Sequence, residues 1–296
     1  MGKIDITVFT TTYNRGYTLE RLYNSLKRQT HKNFEWIIID DGSLDNTESI
    51  VKGFILENLV DIKYIRQENS GKHIAINNGV EQASGELFFI VDSDDYLTIN
   101  SLELILKVWN SIEEKNSFIG VGGRKLIKNS ESKSFNFKEK YYDADSINFN
   151  LKYKNFQDKA EVFETEKLKK YKFKQFKDEK FMTEAVVWYR MSEDGYKIRW
   201  FNEDIYICEY LSDGLTSNYY RQRINSIDST CYSYNLLSSY KVPLKFKFRY
   251  KINYFRYGLH KYNKKYLYKN LKNKSFWRIS FIIGKSLKSV DKIIHK

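Results

Sequence analysis

The seven residues Val91-Asp92-Ser93-Asp94-Asp95-Tyr96-Leu97 place three carboxylates within four positions, directly after the apolar run Leu87–Val91. Carboxylates at the end of a strand offer hard oxygen ligands to a divalent cation such as Mg²⁺ or Mn²⁺. Such a cation neutralises the charge that develops on a departing diphosphate. Three further polar clusters precede this one: Tyr13-Asn14-Arg15, Asp40-Asp41-Gly42-Ser43 and Asn69-Ser70-Gly71-Lys72. A solvated turn accounts for any one of them. Four in succession favour a ligand site.

The intervening residues supply the elements that would position them. Ile4–Thr10, Glu35–Ile39, Ile62–Arg66 and Gly85–Val91 read as strands, rich in β-branched and aromatic side chains. Leu19–Arg28, Asp45–Leu59 and Gly71–Ala83 have helical spacing. This alternation predicts an α/β fold with a mostly parallel sheet flanked by helices. Ligands of such sheets bind beyond the carboxyl ends of the strands, where all four clusters fall. Neither the G-x-G-x-x-G dinucleotide fingerprint nor the P-loop pattern is present. Further on, Ser101–Glu114 reads as a helix and Phe118–Leu126 as a strand. Residues 128–160 are charged, aromatic and weakly patterned, and are expected to hold a mobile loop. Ala160–Tyr171 and Glu184–Met191 read as helices, and Arg199–Tyr210 as strand and turn.

In order and spacing, Thr-Tyr-Asn-Arg at 12–15, Asp-Asp-Gly-Ser at 40–43, Asn-x-Gly-Lys at 69–72 and Asp92-x-Asp94-Asp95 resemble the family-2 glycosyltransferases of GT-A fold. The resemblance is specific over residues 4–100, moderate to about 216 and weak beyond. It implies a Rossmann-like nucleotide-diphospho-sugar transferase fold. Thr11, Thr12, Tyr13 and Arg15 would surround a base, usually uracil, with Asp40 and Asp41 bonding base and ribose. Asp92 and Ser93 would face the ribose side, Asp94 would be the main metal ligand with Asp92 beside it, and Asp95 would either ligate or cap the helix starting near Thr98. Family members often carry Arg before the Asn of the third motif. Here the pair is Ile76-Asn77, so Lys72 or His73 would supply the positive charge and Asn77 would bond to loop backbone.

An inverting transfer also needs a carboxylate to take the acceptor hydroxyl proton. Glu184, ahead of the apolar segment Ala185–Trp188, is the expected base, with Glu179 the alternative. Asp158 and Glu161 are expected near the sugar or acceptor. Asp213 falls in a segment that resembles one closing over the diphosphate in capsule-type transferases. Processive members carry Gln-x-x-Arg-Trp; Tyr196 stands in place of Gln before Arg199-Trp200, which points to addition of a single sugar.

Charge is uneven along the chain. Residues 1–120 hold 12 basic and 18 acidic side chains, residues 121–217 hold 19 and 17, and residues 218–296 hold 19 and 2. The expected organisation is a catalytic domain over 1–217, with a nucleotide half at 1–98 and an acceptor half at 99–217, followed by a basic, aromatic-rich helical extension over 218–296. Phe276, Ile279, Ile283, Leu287, Val290 and Ile294 share a helical face, and Arg278, Lys285, Lys288 and Lys292 lie towards the other side. That pattern suits an anionic membrane surface. The two cysteines suggest a reduced, intracellular setting, and residues 1–10 show no secretory pattern. The reading is a metal-dependent (Mn²⁺ or Mg²⁺) transferase using a nucleotide-sugar, expected to be a UDP-sugar, and a glycan or lipid-linked acceptor. It would act in the cytoplasm against the inner membrane face, in bacterial capsule or surface polysaccharide synthesis. No nucleic-acid module is recognisable. The competing readings are a nucleotidyltransferase and a non-catalytic membrane-bound scaffold.

Overall fold

The computed structural model describes residues 2–128, 135–153, 159–209 and 219–294. It contains two compact units, one of Met1–Lys172 with Gly195–Ser212 and one of Phe173–Asp194 with Asp213–Lys296. The sequence-based boundary at 217/218 therefore moves. Residues 173–194 go with the C-terminal helices, because the Phe181 carbonyl accepts from Ser229 Oγ at 2.5 Å and the Val186 carbonyl from Tyr240 Oη at 3.1 Å.

The first unit runs β1 (Ile6–Thr12), α1 (Gly16–Lys27), β2 (Phe34–Asp40), α2 (Thr47–Glu57), β3 (Asp61–Arg66), α3 (Lys72–Gln82), β4 (Leu87–Ile90), β5 (Tyr96–Leu97), α4 (Ser101–Asn110), β6 (Phe118–Ile127), β7 (Tyr141–Ala144), α5 (Ser146–Tyr153), β8 (Ala160–Glu164) and α6 (Thr165–Leu168). After α7 (Ala185–Glu193) of the second unit, it closes with β9 (Lys197–Cys208). The sheet order is β3-β2-β1-β4-β8-β6-β9-β5, with β7 on β9. β3, β2, β1 and β4 are mutually parallel, while β8 lies antiparallel between β4 and β6.

Every residue of β2 is buried, as a central parallel strand covered on both faces requires. Leu19, Leu22 and Leu26 of α1 and Leu102, Ile105 and Trp109 of α4 join the core that contains Val8, Trp36 and Phe89. On the alternate face, α3 sits so close that a Cβ on Gly79 would lie 2.1 Å from the Phe9 ring.

One expectation fails here. Ala160–Tyr171 is not one helix; it is β8 followed by the short α6. Val162 and Phe163 are both buried by neighbouring strands, and this tertiary pairing overrides local helical spacing. The described residues of 128–160 include β7 and α5. Phe149 stacks on Trp200 at 4.0 Å and Phe135 meets Phe149 edge-on at 4.9 Å, anchoring α5 on the sheet.

The second unit is helical: α7, α8 (Tyr219–Asn225), α9 (Ile227–Leu237), α10 (Leu244–Gly258), α11 (Lys264–Asn270) and α12 (Trp277–Ile294). Its core gathers Cys231, Tyr254, Phe255, Leu267 and Leu271. Among the described residues no helix is long and apolar enough to cross a membrane.

The glycines of β6 admit β8. A Cβ on Gly120 would lie 1.9 Å from the Val162 carbonyl oxygen, whereas one on Gly53 of α2 meets nothing within 4 Å. Gly120→Ala is expected to cost about 1–3 kcal/mol or more. Gly53→Ala should be stabilising by about 0.4–1 kcal/mol. Urea unfolding of the two variants reads both signs.

Candidate active site

The four polar clusters sit on loops joined by specific bonds along the carboxyl edge of the sheet. After β1, Asn14 takes a left-handed backbone, φ +52°, a conformation Asn tolerates. This aims its amide N–H at Ser43 Oγ, 2.9 Å away, while its side-chain oxygen accepts from Leu44 N at 2.7 Å. The first loop and the 40–43 turn are thereby fastened together. Gly42 has φ +86°, where a side chain would be strained.

Asp40 and Asp41 are both buried, and both are fully engaged by the protein. Asp40 accepts from Ser43 N at 2.7 Å and from the Tyr64 hydroxyl. Burial, with Asp40 beside it, raises the Tyr64 pKa. Asp41 accepts from Gln67 Nε2 at 2.7 Å, Ser70 N at 2.8 Å and Gly71 N at 2.8 Å. Both carboxylates thus shape the loops at the edge where the base and ribose are expected.

Gly71, at φ +89°, is the N-cap of α3, and Lys72 is the first helical residue. Lys72 Nζ lies 2.6 Å from Asp92 Oδ1. Burial alone would raise the Asp92 pKa, but the charges of Lys72 and Lys125 hold it down at about 2. Two residues on, Asp94 Oδ2 receives Arg15 Nη1 at 2.7 Å. Arg21 bonds to the Asp94 carbonyl oxygen and to Glu209. Asp92 and Asp94 are thus two carboxylates, each facing a cation from a different loop. Among the described residues no three His, Cys, Asp or Glu side chains form a preformed metal cage. Two carboxylates suffice for a cation that draws its remaining ligands from a diphosphate and water.

The other expected residues are placed as follows. Asp95 is buried and accepts from Glu209 N at 3.2 Å. Burial and the neighbouring Asp92 charge push its pKa up to about 7. It does not cap the next helix, whose N-cap is Asn100. His73 is buried, and burial lowers its pKa to about 4, so it is neutral at physiological pH and the positive charge comes from Lys72. Asn77 is half-buried on α3, and its neighbour Asn78 bonds to Gln67 Oε1 at 2.6 Å. Thr11 is half-buried, Thr12 and Ser93 are buried and Tyr13 is exposed. Glu161 is half-buried in β8, opposite Gly122. Asp158 and Asp213 lie outside the described residues.

Sequence reasoning missed Arg21, Lys125, Tyr206 and Glu209. The pairing of β5 with β9, Leu97 against Tyr206, brings the β9 residues beside the acidic turn. The Tyr206 hydroxyl accepts from Asp92 N at 2.9 Å, and Lys125 Nζ lies 4.1 Å from the Tyr206 ring centre. No local pattern marks these positions.

In the second unit, Glu184 is the half-buried N-cap residue of α7, and its carbonyl accepts from Val187 N at 2.9 Å. Glu179 has a different task. Its two oxygens accept from Asp228 N at 2.8 Å and Ser229 N at 2.7 Å, capping α9.

Residues 7–179 match the sequence profile of glycosyl transferase family 2. Glycosyltransferase GlyA of Streptococcus pneumoniae is 32% identical over 225 residues, covering 74% of this chain and 30% of GlyA. A Campylobacter jejuni enzyme, GalNAc(5)-diNAcBac-PP-undecaprenol beta-1,3-glucosyltransferase, is 29% identical over 191 residues, covering 64% of this chain and 60% of that protein. The chain thus spans less than two thirds of either relative. Among solved structures, S. aureus TarS 1–349 in complex with UDP-GlcNAc superposes with a TM-score of 0.63 at 18% identity, over 95% of this chain and 79% of TarS; this likeness shows the GT-A fold. With the family profile matched over more than half of its length, the chain belongs to glycosyl transferase family 2.

Proposed function

We propose that this glycosyltransferase moves one sugar from a UDP-sugar to a lipid-linked saccharide, with inversion, during assembly of a bacterial capsule or other surface polysaccharide. The observation that carries the donor half is the double ion pair at the β4 end, Asp92 with Lys72 and Asp94 with Arg15. Two carboxylates and two cations at one strand end suit a diphosphate together with a divalent cation. Mn²⁺ or Mg²⁺ would be held by Asp94 with Asp92, and when bound it would supply charge neutralisation at the leaving diphosphate. Lys72 and Arg15 are then positioned to bind phosphoryl oxygens. Asp40 and Asp41 hold the loops against which Thr11, Thr12, Tyr13 and Ser93 would pack a nucleoside. UDP-GlcNAc in the TarS structure supports a UDP-sugar donor. The undecaprenol diphosphate in the name of the Campylobacter enzyme supports a lipid-linked acceptor, and with it a peripheral position on the inner membrane face.

Glu184 is assigned the proton of the acceptor hydroxyl as that oxygen attacks the anomeric carbon opposite the leaving nucleotide. Glu161 and the segments holding Asp158 and Asp213 are assigned to the sugar and acceptor.

The experiment is release of UDP, GDP and TDP from their sugars with Mn²⁺, Mg²⁺ or EDTA. Release from a UDP-sugar that stops in EDTA is the expected result; a donor with another base, or full turnover in EDTA, would overturn the donor or metal assignment. Asp94→Asn should lower turnover by on the order of 10²-fold or more, through lost charge stabilisation.

The two candidate bases separate by readout. Glu184→Gln should lower kcat by about 10²–10⁴-fold with donor binding unchanged. Glu179→Gln should lower thermal stability by about 1–2 kcal/mol through the weakened α9 cap while keeping kcat near wild type. The reverse pattern would exchange the roles.

A further inference from the structure

The helix α12 packs on α10 through a small, polar stripe, with Phe281 beside it edge-on to Phe255 at 5.5 Å. Of its 18 residues, the buried ones are Ser280, Gly284 and Asp291. Gly284 lets the two helices meet at backbone distance: a Cβ there would lie 2.7 Å from the Ile252 carbonyl oxygen and 2.9 Å from the Arg256 nitrogen. Asp291 receives the Arg256 guanidinium with both oxygens, Nε to Oδ2 at 2.6 Å and Nη2 to Oδ1 at 2.5 Å. These contacts fix the rotation of α12 about its axis.

The consequence is an apolar face turned to solvent. Ile279, Ile282, Val290 and Ile293 are 55%, 63%, 46% and 76% exposed. With Ser286 they recur at steps of three and four residues, which is one continuous stripe about 21 Å long. Single exposed isoleucines are ordinary, but a row of them marks an interaction face. Along one border run Arg278, Lys285 and Lys292, seven residues apart and all exposed.

We infer that this face lies on an anionic lipid surface, with the isoleucines at the acyl boundary and the three cations among the headgroups. Charge selects this occupant over a second copy of the chain. Residues 241–296 carry 17 Lys and Arg and one acidic residue, Asp291, and that carboxylate is already paired with Arg256. Two copies would bring like charge against like, whereas an anionic leaflet is complementary. The inference makes the membrane-surface reading above specific to one helix face. It uses no catalytic assignment.

The test is co-flotation of the full chain with vesicles of phosphatidylcholine alone or mixed with phosphatidylglycerol, without donor or acceptor. Binding to the mixed vesicles only, weakened by salt, is expected. Arg278→Gln/Lys285→Gln/Lys292→Gln should weaken partition by on the order of 100-fold. Ile279→Ser/Ile282→Ser/Ile293→Ser should abolish it with helical content unchanged, since all three side chains are exposed; should that variant unfold, the charge variant decides. Wild-type protein that stays unbound, or a charge variant that floats equally well, would overturn the inference. So would isoleucine substitutions that turn a dimer into a monomer without affecting flotation, which would assign the stripe to a second copy. Because no turnover is measured, failure here leaves the transferase reading standing.

Discussion

The carboxylate of Asp41 organises the donor edge. A buried charge must be met by donors or it destabilises the fold, and this one is met by three, all from residues 67–71. That requirement bends the loop after β3 into one path, with Gly71 left-handed at its end. The path starts α3 where it does, and so sets where Lys72 stands. Lys72, together with Lys125, in turn holds the Asp92 pKa down. An acidic residue at the end of β2 thereby helps to set the place of the lysine that pairs with another at the end of β4.

The same logic explains why so much negative charge is tolerable at one strand end. Asp92, Asp94 and Asp95 would repel one another if all were ionised and bare. Two are answered by cations from separate loops, Lys72 and Arg15. The third, buried and next to Asp92, has its pKa pushed up to about 7, so the turn sheds part of its charge by protonation. The pairing is reversible in kind. A divalent cation and a diphosphate present the same two signs, so an arriving ligand can exchange partners with the ion pairs without leaving an uncompensated charge.

Much of this edge was legible in the sequence because its chemistry is local. Asp40-Asp41-Gly42-Ser43 carries its own turn, Gly71-Lys72 its own helix start, and the apolar runs before them have the period of their strands. What failed was non-local. Ala160–Glu164 becomes a strand only because Gly120, Gly122 and Gly123 leave room beside β6. Tyr206 reaches Asp92 only because β9 returns to pair with β5. For Asp40 and Asp41, composition shows that a carboxylate is present, but only the fold shows which protein donors point at it. The amphipathic pattern of α12 was visible too, but not which stripe would face inward, since that depends on Arg256, 35 residues away from Asp291.

The count of donors also divides the two glutamates proposed for proton transfer. A helix begins with backbone N–H groups that have no partner within it, and Glu179 answers two of them at the start of α9. To act as a base it would have to accept a proton on an oxygen that those N–H groups hold, and the cap would weaken at the moment of transfer. Burial raises the Glu179 pKa, and the two N–H bonds offset only part of that rise. Glu184 reaches its own helix through the backbone carbonyl, so protonating its side chain would leave those backbone bonds of α7 in place. The structural task already carried by the Glu179 carboxylate is the physical ground for preferring Glu184.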